Sequence, residues 1–237
     1  MKNAMKNAMK NTVKPSKNSI ILGLIYLVFY LYLLPQGLQK VNHLLSFPLS
    51  NIEVNLLYFV INALAVGLIF RKFLARALRE CVQRMPKVLG FALVGFVGLQ
   101  LASYLVNLLV LWLEPDFYNV NDASIAMMVS RNFPMMFLCT VILVPITEEL
   151  LFRGMLFRGL FDRSPVLAYA ASIVLFAFIH LVAYLPYLDI RWLALSFLQY
   201  LPASLFLALS YHLSGSILSP MLIHAAVNAL AILSFLS

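Results

Sequence analysis

The sequence predicts an all-α fold: a polytopic transmembrane helical bundle of about seven to eight helices around a polar intramembrane cavity. Three observations carry that prediction. Hydrophobic residues make up 63% of the 237 and charged residues 11%, and the mean hydropathy is +0.93, far from a soluble domain. Seven apolar runs approach or exceed the roughly 20 residues that cross a bilayer. Ionisable side chains interrupt the later runs, and in lipid they need a protein-lined or wet interior to face.

The first 18 residues, MKNAMKNAMKNTVKPSKN, carry five lysines and read as a disordered basic tail, leaving residues 19–237 as a single transmembrane domain. The run at 19–34 ends in LLPQG without a small-residue cleavage site, so it reads as an uncleaved first helix. Further spans are expected at about 52–70, 88–113, 133–157, 166–185, 192–211 and 216–236, with an eighth element possible. Between the second and third, RKFLARALRECVQRMPK has apolar residues at helical spacing among six cations. It is expected to lie in the interface as an amphipathic helix, or else to form a basic loop.

The net charge of +8 does not call for nucleic acid, because the cations cluster at topogenic positions. Five in the tail, six at 71–87 and Arg153, Arg158 and Arg163 account for 14 of the 17 Lys and Arg. All fall on one face of an alternating topology, which puts the amino terminus in the cytoplasm and, with seven spans, the carboxyl terminus outside. Cys81 and Cys139 are expected to be free thiols.

VPITEELLFRGMLF sets Glu148 and Glu149 side by side in a spanning run, at about 2.5–3.5 kcal/mol for a mid-helix carboxylate on insertion scales. Arg153 follows Glu149 by four residues in the favourable order and can hold it ionised, which leaves Glu148 without that partner. The next run places His180 deep in an apolar helix with Phe176 one turn before it, and the last places His224 and Asn228 on one helical face. If the chain turns near 162–165, Glu148 and His180 each lie about 15 residues from the turn and reach similar depth.

A carboxylate and an imidazole can share a water, one taking its proton while the other orients it. A second imidazole and a carboxamide can donate to the oxyanion formed when that water attacks a peptide carbonyl. The five polar residues on three helices therefore read as an amide-hydrolysis site. His43 and His212, near helix ends, read as bystanders.

The segments EELLFR, FAFIH and HAAVN resemble, in order and spacing, the EExxxR, FxxxH and HxxxN motifs of the CAAX-protease and bacteriocin-processing (CPBP/Abi) family of intramembrane endopeptidases. The resemblance covers about residues 130–235. It implies a catalytic core there, a cavity opening toward the cytoplasm, Glu148 and His180 activating water, His224 and Asn228 at the oxyanion, and Glu149, Arg153 and Phe176 in support. It implies no cofactor on the glutamate reading. A zinc held by Glu148, His180 and His224 is the alternative, since two His and one Glu suffice for such a site. The expected partners are the lipid bilayer and a membrane-associated peptide or protein. Two other classes fit the composition: a transporter using Glu and His as a proton relay, and an immunity or peptide-binding membrane protein that does not cleave.

Overall fold

The computed structural model describes residue 9 and residues 12–236. Most of the lysine-rich tail lies outside the described residues, but Met9 and Thr12, expected to be disordered, are buried. Among the described residues are eight helices and no strand. They are α1 (Lys17–Leu44), α2 (Asn51–Val82), α3 (Met85–Leu113), α4 (Val120–Arg131), α5 (Phe133–Phe161), α6 (Pro165–Ile179), α7 (Ile190–Ser214) and α8 (Leu218–Ser234).

All but α4 are the expected spans, and α4 is the eighth element. Five are long and apolar enough to cross a bilayer on their own. The two that are not, α6 with 15 residues and α8 with 17, are the ones that lead to the histidines. At 1.5 Å per residue α6 is about 22 Å long, short of a hydrocarbon core of about 30 Å. The chain is a multi-pass membrane protein, and its outer surface fits lipid: Val94, Leu105 and Trp112 of α3 are all exposed.

Helix starts follow local chemistry. Ser16 caps α1, Ser50 and Glu53 form a reciprocal capping box on α2, Asn119 caps α4 and Asp189 caps α7. The segment at 71–87 differs from both expectations. Helix α2 runs unbroken through it to Val82, because Phe73, Ala77 and Cys81 continue the buried stripe of Val66 and Phe70 while the cations face outward. Only Gln83 and Arg84 separate it from α3, whose second residue is Pro86.

Helices α1 and α5 widen into π turns at Phe29–Leu33 and Leu138–Leu143, each two residues before a proline. In a π turn the carbonyl of residue i takes the N–H of i+5, and for Tyr30 and Thr140 that residue is Pro35 or Pro145, which has none. The N–H groups of Leu34 and Val144 bond instead to Phe29 O and Cys139 O. The carbonyls of Tyr30 and Thr140 are thereby released and take side-chain donors: the Tyr58 hydroxyl at 3.3 Å and the Asn228 amide at 2.7 Å.

Helix α7 is central, packing on α3, α6 and α8, while α8 also packs on α3 and α5. The main core gathers Phe70, Phe73, Phe152, Phe157, Phe176 and Tyr211. Both cysteines are free and buried.

Candidate active site

Glu148 and Glu149 leave α5 between its π turn at Leu138–Leu143 and another at Leu150–Phe157, where α5 is almost wholly buried. Glu149 and Arg153 are 0% exposed and form the expected i,i+4 pair, with Arg153 Nη1 donating to Glu149 Oε1 at 3.0 Å. The guanidinium also donates through Nη2 to the Ser204 carbonyl at 3.1 Å and lies 4.2 Å over the Phe176 ring. Phe176 is the floor of this arrangement, in contact also with the rings of His180 and His224.

His180 corrects one expectation. It is not deep inside a helix but the C-cap of α6, followed by a turn and a short 3₁₀ segment at Val182–Tyr184. Its Nδ1 lies 2.9 Å from the Phe176 carbonyl, and its ring stacks on Tyr200 at 4.3 Å. His224, in α8, places Nδ1 2.9 Å from Glu149 Oε1. Both partners of these Nδ1 atoms can only accept, one being a carbonyl and the other an ion-paired carboxylate. Each Nδ1 therefore carries a hydrogen, and each ring turns its Nε2 inward.

Both Nε2 atoms point to Glu148. Its Oε2 is 4.0 Å from Nε2 of His180 and 4.0 Å from Nε2 of His224, is buried, and has no hydrogen-bond partner. Its Oε1 accepts from the Tyr30 hydroxyl at 3.3 Å. The structure thus brings Glu148, His180 and His224 together, with Glu149, Arg153 and Phe176 behind them. Asn228, one turn beyond His224, has its amide on the Thr140 carbonyl. His212 bonds with the Tyr169 hydroxyl at 2.8 Å, at the end of the bundle that carries the amino-terminal residues.

Glu148 Oε2, which has no hydrogen-bond donor among the described residues, and two imidazole Nε2 atoms converge here. Zinc bonds of about 2.0–2.1 Å put tetrahedral ligands about 3.3 Å apart, well under the 4.0 Å found. Among the described residues no three His, Cys, Asp or Glu side chains are disposed to hold a metal ion.

Tyr30, Tyr58, Tyr200 and Thr140 were not foreseen from the sequence. For Tyr58 and Thr140 the available signal was the pair of prolines, Pro35 and Pro145, each of which must release a carbonyl. Two cavities lie outside this cluster. One of about 350 Å³, lined by Asn107, Asn119, Asp122 and Gln199, opens at the end opposite the amino-terminal residues. At the amino-terminal end a cavity beside Glu80, Arg84 and Tyr211 has about 10 Å³, room for about one water.

Residues 130–230 match the sequence model described as type II CAAX prenyl endopeptidase Rce1-like. The UPF0177 protein YbdI of Lactococcus lactis subsp. lactis (strain IL1403) is 29% identical over 159 residues, which is 64% of this chain and 77% of the relative. No solved structure matches the chain. Glu148, Glu149, Arg153, Phe176, His180, His224 and Asn228 all fall within the matched residues. Over residues 130–230 the chain is thus similar to the Rce1-like type II CAAX prenyl endopeptidases.

Proposed function

We propose that the chain is an intramembrane endopeptidase that hydrolyses a peptide bond of a membrane-associated peptide or protein with water activated by Glu148. The observation that carries this reading is the unpartnered, buried Glu148 Oε2 at 4.0 Å from two imidazole Nε2 atoms. One water about 2.8 Å from each of two such acceptors subtends an angle of roughly 90°, close to what its two O–H bonds need. It gives one hydrogen to the carboxylate and one to an imidazole, and its lone pair remains for a carbonyl carbon.

In the reaction the water oxygen bonds to the peptide carbonyl carbon as its proton passes to Glu148 Oε2. The carbonyl oxygen becomes an oxyanion, for which the second amide hydrogen of Asn228 and a protonated His224 Nε2 are the candidate donors. Glu148 then returns the proton to the amide nitrogen as the C–N bond breaks, leaving a carboxylic acid and an amine. Glu149 orients the His224 ring through Nδ1, and Arg153 holds Glu149.

The Rce1-like match supports CAAX-type processing, meaning cleavage close to the membrane surface, and the same chemistry serves peptide maturation or bacteriocin self-immunity. The cation asymmetry supports a cell-membrane protein with its amino terminus in the cytoplasm. The test is a comparison of membrane peptides, by quantitative proteomics, from cells carrying the wild type and Glu148→Ala. A product that accumulates only with the wild type identifies the substrate, and identical peptide populations end the peptidase reading.

A further inference from the structure

The cavity at the far end of the bundle is walled by three elements outside the α5–α6 hairpin. Asn107 comes from α3, Asn119 and Asp122 from the start of α4, and Gln199 from α7, with Phe117, Tyr118 and Phe235 as aromatic walls. Its volume of about 350 Å³ falls in the range of ligand-binding clefts.

Its carboxamides form a chain. Asn119 Nδ2 donates to Gln199 Oε1 at 2.9 Å, and Gln199 Nε2 donates to Asn107 Oδ1 at 3.0 Å. Each bond uses one of the two hydrogens of its amide group, so donors and acceptors remain at the mouth, the pairing that an extended peptide backbone needs. The cavity also touches the catalytic group. Tyr200 donates through its hydroxyl to Asn119 Oδ1 at 3.3 Å, while its ring stacks on His180. One side chain separates cavity wall and imidazole.

Charge selects the occupant. Glu53, Glu114, Asp116, Asp122 and Asp189 lie at this end of the bundle, against Lys40, Arg131 and Arg191. Glu114 is paired with Arg191 at 2.9 Å, Glu53 belongs to a capping box and Asp189 caps α7. Asp122, on the cavity wall, has no ion-pair partner among the described residues.

We propose that this cavity is the subsite for a cationic, extended segment of the peptide substrate, with Asp122 receiving a lysine or arginine side chain and Asn107, Asn119 and Gln199 holding its backbone. The proposal rests on the peptidase reading and names the feature that a substrate must carry. The substrate's flank then enters from the end of the bundle opposite the amino-terminal residues and reaches His180 past Tyr200.

The experiment uses full-length Glu148→Gln protein in neutral phosphatidylcholine nanodiscs, so that binding is read without turnover. Two fluorescent synthetic peptides share one apolar helix and differ only in a lysine or a glutamate flank. The lysine peptide is expected to bind about five- to tenfold more tightly, and Asp122→Asn to erase that preference. Asn107→Leu, on the opposite wall, weakens both peptides while leaving the thermal unfolding midpoint in place. Equal affinities, or a preference that survives Asp122→Asn, overturn the proposal. Loss of selectivity beside intact Glu148-dependent cleavage removes the subsite alone, whereas selectivity without any Glu148-dependent cleavage removes the peptidase alone.

Discussion

The side-chain amide of Asn228 donates a 2.7 Å hydrogen bond to the main-chain carbonyl of Thr140, which Pro145 leaves without a main-chain donor. Asn228 therefore ties α8 to α5 one turn from His224, whatever else its second amide hydrogen does. A buried carbonyl left unsatisfied costs about 1–3 kcal/mol, so Asn228→Leu should destabilise the detergent-solubilised protein by about that much. Pro145→Ala supplies the missing N–H. The double variant should recover the lost stability in chemical unfolding, and a double variant no more stable than Asn228→Leu contradicts the assignment.

Tyr30 reaches Glu148 from α1, outside the residues that match the family. Its hydrogen bond fixes Oε1 and so aims Oε2 at the two imidazoles. A bond to a charged group is worth about 1.5–3 kcal/mol, so Tyr30→Phe should lower kcat roughly 10- to 150-fold with KM little changed. Steady-state kinetics on the identified substrate checks this; an effect confined to KM would place Tyr30 in substrate binding instead.

The Glu149–Arg153 pair is fully buried, and removing one partner strands the other charge. Arg153→Met is expected to cost about 3–5 kcal/mol, and Glu149→Gln together with Arg153→Met to recover part of it. Unfolding of the three variants in one detergent decides this. The double variant should still lose activity, because His224 loses the carboxylate that fixes its Nδ1 hydrogen.

At the amino-terminal end, Asp162 bonds to Lys14 and to Arg158, whose Nη2 also donates to the Met9 carbonyl at 3.2 Å. Burial pushes the Asp162 carboxyl up, but the hydrogen bonds and charges of Lys14 and Arg158 outweigh it and hold it below the usual value. A depressed folded value means a contribution that is fully present above the unfolded value of about 3.9 and fades as pH falls through the folded one. Both ends of the Lys14 pair are half exposed, so the effect is small and screened by salt. Limited proteolysis near residues 12–16 should be slow at neutral pH and faster below about pH 4, and Asp162→Asn should abolish that dependence.

Much of the site was legible because its cost in lipid is so high. Glu148, His180 and His224 stand out against apolar runs, and counting residues from the 162–165 turn was enough to bring two of them level. The end of α6 was not legible, since LVAYLPYL continues the hydropathy past His180, and only Pro186 and the Asp189 cap hint at the break. The α2 extension was hidden for the opposite reason. Its cations suggested a separate element, although Phe73, Ala77 and Cys81 keep the helical stripe of the span before them. Tyr30 could not be found by pattern at all: a tyrosine in an apolar run is ordinary, and its meaning comes from a π turn that depends on Pro35.

The central claim is that the free oxygen of Glu148 activates water between the two imidazoles without help from a metal ion. Its most direct measurement is the hydrolysis rate of the identified substrate by purified, chelator-treated wild type and Glu148→Gln in the same nanodiscs. The account predicts an undiminished rate for the wild type and a fall of about 10²- to 10⁴-fold for Glu148→Gln. A wild-type rate that chelation abolishes and zinc restores, or a Glu148→Gln rate within a few-fold of the wild type, would contradict it.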